Sequence, residues 1–292
     1  MSAPDGILYA GNDLGECILW NGRRRELWWT DIPARKLHQH DWHTGHTRVL
    51  DAPDRIASFG FVANDDSLIA AFAPGVALYE PWRKSVTWLT LPETALAPGI
   101  RFNDGRVDRS GRFWSGTMVE GASAAAGGCL YCVGPAGAAR RHLQNIRISN
   151  GLCFSPAGTC VYFADSPTRT ISEFPLLEPA GTLGERRQFI QTPAGAFPDG
   201  ATVDADGCIW TALWGAGCVA RYTPDGRLDR RVMLPVSQPS CVCFGSDSLD
   251  VLCVTTAREG LSPAELAAQP HAGDVLLYRV GVQGLPEHEY RP

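Results

Sequence analysis

No apolar stretch in the 292 residues approaches the roughly 20 needed to cross a bilayer, and the N-terminal MSAPDGILYAGND has no basic segment followed by a long apolar one. The sequence therefore predicts a cytoplasmic protein that neither spans a membrane nor is exported. Positive charge is not in excess either. The net charge is −5, from 26 Lys and Arg against 31 Asp and Glu, which gives no reason to expect nucleic acid or an anionic membrane as a partner. A small neutral or mildly polar molecule stays open as the partner. Helical periodicity is almost missing; only SPAELAAQ, Ser262 to Gln269, predicts a short helix, with Ser262 as N-cap, Pro263 at the first position and Glu265 in the first turn.

Several catalytic signatures are absent as well. There is no GxSxG around a nucleophilic serine and no GxxxxGK[ST] phosphate loop. The ten cysteines sit singly in apolar stretches, as at Cys153, Cys160, Cys208 and Cys253, and read as small buried hydrophobes. Cys129 and Cys132 form one CxxC, but no second pair completes four thiolate ligands. What remains is a chain with 45% hydrophobic and 20% charged residues, long enough to bury a large core.

Repetition organises that chain. VDRSGRFWSGT from Val107 and VDADGCIWTAL from Val203 match almost residue for residue 96 positions apart, and FSPAGTCVYFA from Phe154 lies halfway with the same layout of strand, Gly-containing turn and strand. Looser copies start at Ile18, Phe61 and Cys243. A second strand signature interleaves six times, from Lys36, Val76, Cys129, Thr170, Cys218 and Val275. Short strands, turns rich in Gly, Asn, Asp and Pro, and a period between about 40 and 50 residues predict an all-β, six-bladed β-propeller with about four antiparallel strands per blade. The expected organisation is a single domain over residues 1–292, with a monomer as the default because a closed propeller protects its edges.

The polar residue that opens each turn, Asn21, Asp108, Ser155 or Asp204, aligns the copies. Five positions before each stand Glu16, Asn103, Asn150 and Asp199; the same count falls near Ser58 and on Ser240 in the other two repeats. Equivalent positions around a propeller axis converge, so two carboxylates and two amides are expected at one mouth of the channel. A hard divalent cation takes such oxygen ligands and offsets the cost of burying Glu16 and Asp199. Taken singly, Asn150 and Asp199, each before a glycine, also fit plain turn positions, whereas Glu16 has no turn role.

LGE at 14–16, RFNDGRVDRSGRFWSGTM at 101–118, ISNGLCFSP at 148–156 and FPDGATVDADGCIWTALWG at 197–215 together resemble the SMP-30/gluconolactonase family of sugar-lactone hydrolases, which includes regucalcin and bacterial xylonolactonases. VTTAREGLS at 254–262 looks more like the bacterial pentonolactonase branch. The resemblance implies metal-dependent hydrolysis of an aldonolactone, such as a xylono-, arabinono-, galactono- or gluconolactone. It implies Glu16, Asn150 and Asp199 as ligands of one divalent metal ion (Ca²⁺, Zn²⁺, Mn²⁺, Mg²⁺ or Fe²⁺). Asp199 would also be the general base, and Arg101, Asn103 and Glu120 would touch the substrate. After LGE the family usually has a small residue and Pro, where this chain has Cys17-Ile18. A calcium-dependent phosphotriesterase or arylesterase, and a non-catalytic calcium-binding propeller, are the alternatives.

Other features read as structural. His38, His40, His43 and His46 cluster on a strand and turn expected at the solvated edge of the first repeat. Trp114 and Trp210 fall at equivalent positions and are expected to pack, while Trp214, beyond the repeat match, is a candidate wall for a sugar. DADG at 204–207 lacks the continuation of a calcium loop and reads as a hairpin turn, and GASAAAGG at 121–128 reads as a loop.

Overall fold

The structure, a computed structural model, describes residues 3–92, 97–121 and 127–292. These residues form six antiparallel sheets, five of four strands and one of five, the blades of the expected propeller. Their innermost strands are Gly15–Asn21, Ile56–Phe61, Ile100–Val107, Ser149–Phe154, Phe197–Val203 and Pro239–Gly245. The inner strands of the first, second, fourth and sixth blades are buried at every position, whereas the outermost strands Thr47–Asp51 and Leu228–Met233 are largely exposed. That gradient is why the inner strands read as continuous apolar runs instead of alternating ones.

The blades group into two compact units, one holding the first, fifth and sixth and the other the second, third and fourth with residues His288–Pro292. In the former, Trp210 and Val219 pack on Val242, Phe244 and Leu252, and Ile18 and Trp29 pack on Cys241 and Cys253. In the latter, Trp114 and Leu130 pack on Leu152, Phe154 and Phe163. The sixth blade takes its fourth strand from the other end of the chain: Gly6–Leu8 pairs with Val275–Arg279. The short helix runs Pro263–Ala268 behind Ser262, whose hydroxyl accepts from the Glu265 amide while Glu265 accepts from the Ser262 amide. No helix among the described residues is long and apolar enough to cross a membrane.

The turn anchors do the same work in each copy. Asp108 Oδ1 accepts from the amides of Ser110 and Arg112, Asp204 Oδ1 from those of Asp206 and Cys208, Asn21 Oδ1 from those of Arg23 and Arg24, and Ser155 Oγ from those of Thr159 and Cys160. Asp108 and Asp204 go further, each accepting the indole N–H of its tryptophan, Trp114 or Trp210, at 2.8 Å. Both tryptophans are fully buried, as packing residues should be, and DADG is a hairpin turn.

Two histidines depart from expectation. His38 and His40 are buried, 5% and 6% exposed, because the outer strand Thr47–Asp51 covers theirs and His38 stacks on Trp29 at 4.8 Å. His43 and His46 are exposed. Most of 121–128 lies outside the described residues, although Gly128 already belongs to a strand.

Candidate active site

Each inner strand breaks register once, near its start. The breaks fall between Glu16 and Leu19, Ile56 and Ser58, Phe102 and Gly105, Asn150 and Cys153, Pro198 and Ala201, and Pro239 and Val242. A bulge of this kind puts two residues opposite one and re-aims the side chains beside it. All four sequence-predicted oxygen side chains sit at these bulges, but not in identical register. Glu16 and Asn150 are the last paired residues before the bulge, opposite Thr30 and Ala164. Asn103 and Asp199 are the first residues inside it. The residue after each paired member has a left-handed backbone, Gly151 at φ +65° and Cys17 at φ +46°. Glycine adopts that conformation freely; Cys17 adopts it against the preference of an L side chain.

In the unit that holds the first, fifth and sixth blades, Glu16 is 8% and Asp199 7% exposed. Glu16 Oε2 accepts the Cys17 amide at 3.2 Å, and its carbonyl accepts the Thr30 hydroxyl at 3.3 Å. Beside Asp199, a Cβ on Gly200 would lie 2.7 Å from Cys241 Cα, so only glycine lets the fifth-blade strand approach the sixth this closely. Ser240 occupies the sixth-blade bulge, and its hydroxyl donates to the Gly15 carbonyl and lies 3.0 Å from Thr255 Oγ1, holding the blades together. Trp214 is half-buried and pairs across the strands with Phe197, itself 38% exposed, two residues before Asp199.

The other unit carries a continuous polar chain. Asn103 Nδ2 donates to Asn150 Oδ1 at 3.0 Å and to the Ser149 carbonyl at 2.9 Å, while Asn150 Nδ2 donates to Ser166 Oγ at 2.8 Å. These partners fix both amide orientations. Arg101 donates to Asn103 Oδ1 and the Phe102 carbonyl, both at 2.8 Å, and to Glu120 Oε1 at 3.2 Å. Arg55 donates to the same Glu120 oxygen at 2.6 Å. Burial pushes the Glu120 carboxyl up, but the hydrogen bonds and charges of Arg55 and Arg101 outweigh it and hold the group below the usual carboxylate range. Arg101, Asn103 and Glu120 are thus one connected group, as are Asn103 and Asn150.

Sequence reasoning missed three members. Arg55 stands at the start of the second blade, where the repeat carries no polar signature. Ser166 orients Asn150 from the turn after the second strand of the fourth blade. Asp104, inside the third-blade bulge, accepts the Leu152 amide at 2.7 Å and ties that bulge to the next; burial holds its carboxyl above the ordinary range. The NDG triplet at 103–105 was the available signal for Asp104.

The donor chemistry fits a divalent metal. Asn150 presents a fixed carbonyl oxygen with acceptor capacity beyond its bond from Asn103, and Glu16 and Asp199 are carboxylates at equivalent bulges. Among the described residues no three His, Cys, Asp or Glu side chains gather as a metal-binding group.

Residues 14–258 match the model of the SMP-30/Gluconolactonase/LRE-like region. The chain belongs to that family. It is 37% identical to the 6-deoxy-6-sulfogluconolactonase of Pseudomonas putida over 94% of each chain, and 35% identical to the L-arabinolactonase of Azospirillum brasilense over 94% of this chain and 91% of that one. A solved structure, the calcium-binding protein regucalcin of Agrobacterium tumefaciens, superposes with a TM-score of 0.93 at 31% identity, covering all of both chains. The six-bladed propeller is the fold the repeats predict, and the family is the one the motifs resemble.

Proposed function

We propose that this member of the family is a metal-dependent hydrolase of sugar lactones, opening an aldonolactone to the aldonic acid. The observation that carries the reading is the bulge: Glu16, Asn150 and Asp199 stand at equivalent breaks in three inner strands, and a fourth carries Asn103, hydrogen-bonded to Arg101. Relatives named as lactonases at more than a third identity over nearly the whole chain support it.

In this reading Glu16, Asn150 and Asp199 are the ligands, and a divalent ion held by them supplies Lewis-acid polarisation of the lactone carbonyl. The remaining chemistry belongs to the side chains. Asp199 accepts a proton from the water that attacks the carbonyl carbon. As the tetrahedral intermediate collapses, the carbon–ring-oxygen bond breaks and Asp199 returns that proton to the leaving oxygen. Arg101 donates to substrate oxygens, Glu120 accepts from hydroxyls, and Asn103, which can do both, is positioned by Arg101 and Asn150.

A second reading, a calcium-binding propeller without turnover, draws on the likeness to regucalcin of Agrobacterium tumefaciens, a calcium-binding protein. One experiment separates the two. Chelator-stripped protein is assayed on pentono- and hexonolactones by pH change, with Ca²⁺, Mg²⁺, Mn²⁺, Zn²⁺ or anaerobic Fe²⁺ restored singly. Hydrolysis above the spontaneous rate that disappears on stripping and returns with one ion supports the lactonase and names its metal and sugar. Bound metal with blank-level rates on every lactone overturns it in favour of the binding propeller, and an aryl phosphotriester in the same assay tests the esterase alternative.

A further inference from the structure

Glu120 stands just past the strand Phe113–Val119 with 35% of its side chain exposed. A glutamate that open has many rotamers available, and a ligand that needs its carboxylate must freeze it. Here two guanidinium groups hold it from different blades. Arg55, preceding the inner strand of the second blade, donates through both terminal nitrogens, at 2.6 Å to Oε1 and 3.4 Å to Oε2, and Arg101 of the third blade donates to Oε1 at 3.2 Å. Among the described residues, Oε1 therefore takes two charge-assisted bonds and Oε2 only the long one. Arg55 is itself oriented: its carbonyl accepts the Ala73 amide at 3.0 Å, and its amide donates to Asp54 at 2.7 Å.

The chain continues beyond Glu120. Arg101, only 8% exposed, donates onward to Asn103, and Asn103 donates to Asn150. The two arginines differ accordingly: Arg101 is locked by the Phe102 carbonyl and Asn103 as well as by Glu120, whereas among the described residues the side-chain bonds of Arg55 both go to Glu120. An arginine one-third exposed and committed to another side chain in this way orients its partner.

We infer that Arg55 is a positioning residue of the sugar-binding group: it pins Oε1 of Glu120 and so presents Oε2, already ordered, as the acceptor for a substrate hydroxyl. The inference rests on the lactonase reading above. Its signature is a split in kinetic constants. Without Arg55, Glu120 keeps one bond to Arg101 and regains its rotamers, and the cost of ordering it falls on substrate binding. Arg101, Asn103 and Asn150 keep their bonds to one another.

The test compares wild-type protein with Arg55→Ala and Arg55→Lys on the best lactone of the panel, with the preferred metal present. Thermal denaturation is measured for each, and Arg55→Ala is assayed again with guanidinium added well below denaturing concentration. Arg55→Ala is expected to raise KM about tenfold, the worth of one charge-assisted hydrogen bond, with kcat within about twofold. Lysine should recover part of the loss, since it restores the charge without the fork, and free guanidinium should lower KM again. An unchanged KM in Arg55→Ala overturns the inference and leaves the lactonase standing. So does a fall in Tm, kcat and kcat/KM together that guanidinium does not repair, because Arg55 would then serve only the fold. No turnover by the wild type on any lactone overturns both.

Discussion

Asn103 donates a side-chain N–H to Oδ1 of Asn150 across 3.0 Å, joining two bulges on neighbouring blades. The bond fixes which atom of Asn150 faces its surroundings as an oxygen, with Ser166 fixing the nitrogen from the other side at 2.8 Å. If Asn150 is a metal ligand, Asn103 orients it. Asn103→Leu removes the donor with little change in volume and should weaken divalent metal binding about 10- to 100-fold, the usual cost of losing a group that orients a ligand. Calorimetric titration of the stripped protein in the absence of lactone checks this. Equal affinities in the two proteins would remove Asn150 from the ligand set or Asn103 from its support.

Asp199 is assigned two tasks, ligation and proton transfer, and Asp199→Asn separates them. An amide keeps an oxygen for a cation but cannot take a proton from water. Turnover should fall about 10²- to 10⁴-fold, the range of general base catalysis, while thermal stability and fold are retained. Arg101→Ala should act differently, raising KM more than it lowers kcat, because Arg101 binds and does not transfer protons. Steady-state kinetics on one lactone reads both, and near-normal turnover by Asp199→Asn would place the base elsewhere.

The repeat was legible because the turns impose the same chemistry on every blade: Asp108 and Asp204 each take two turn amides and one indole N–H, and the sequence between must keep its spacing. That spacing led to Glu16, Asn103, Asn150 and Asp199. Counting could not show that two of them precede the bulge and two lie within it, since a bulge adds a residue without marking it. The strand Gly6–Leu8 was also invisible: three residues carry no periodicity, and its partner lies at the far end of the chain. His38 and His40 were misplaced because KLHQHDWH reads as polar, while burial is decided by the strand that covers it. Arg55 left no trace because its role exists only through Glu120, 65 positions away.

Asp204 supplies a stability test away from the site. It is wholly buried and accepts from the Trp210 indole at 2.8 Å and from Arg221 Nε at 2.8 Å, besides two turn amides. Asp204→Ala leaves the indole N–H without its acceptor and strips Arg221, 6% exposed, of its fully buried carboxylate partner, leaving it Asp229 at 29% exposure and Asp206. The expected loss is about 3 kcal/mol, seen as a fall in Tm of roughly 5 °C. Asp206 also touches Arg221, but at 67% exposure, so Asp206→Ala should cost no more than about 1 kcal/mol. Similar melting temperatures for the two variants would contradict the buried network.

His38 is expected to make the protein sensitive to acid. Burial lowers its pKa from 6.5 to about 4, with the charge of Lys36 pushing the same way, and neither ring nitrogen has a hydrogen-bond partner among the described residues. The folded value lies below the unfolded one, so the unfolded chain takes the proton first. Above about pH 6.5 both states are neutral and His38 contributes no pH dependence. As the pH falls from there toward about 4, stability drops, by roughly 2 kcal/mol at pH 5 from this residue alone. His38→Phe keeps a flat ring against Trp29, removes the unsatisfied nitrogens and cannot be protonated. It should raise Tm at pH 7 and shrink the difference between Tm at pH 7 and at pH 5. If the variant and the wild type lose the same amount of stability over that interval, the acid sensitivity lies in other groups and His38 is protonated without consequence for the fold.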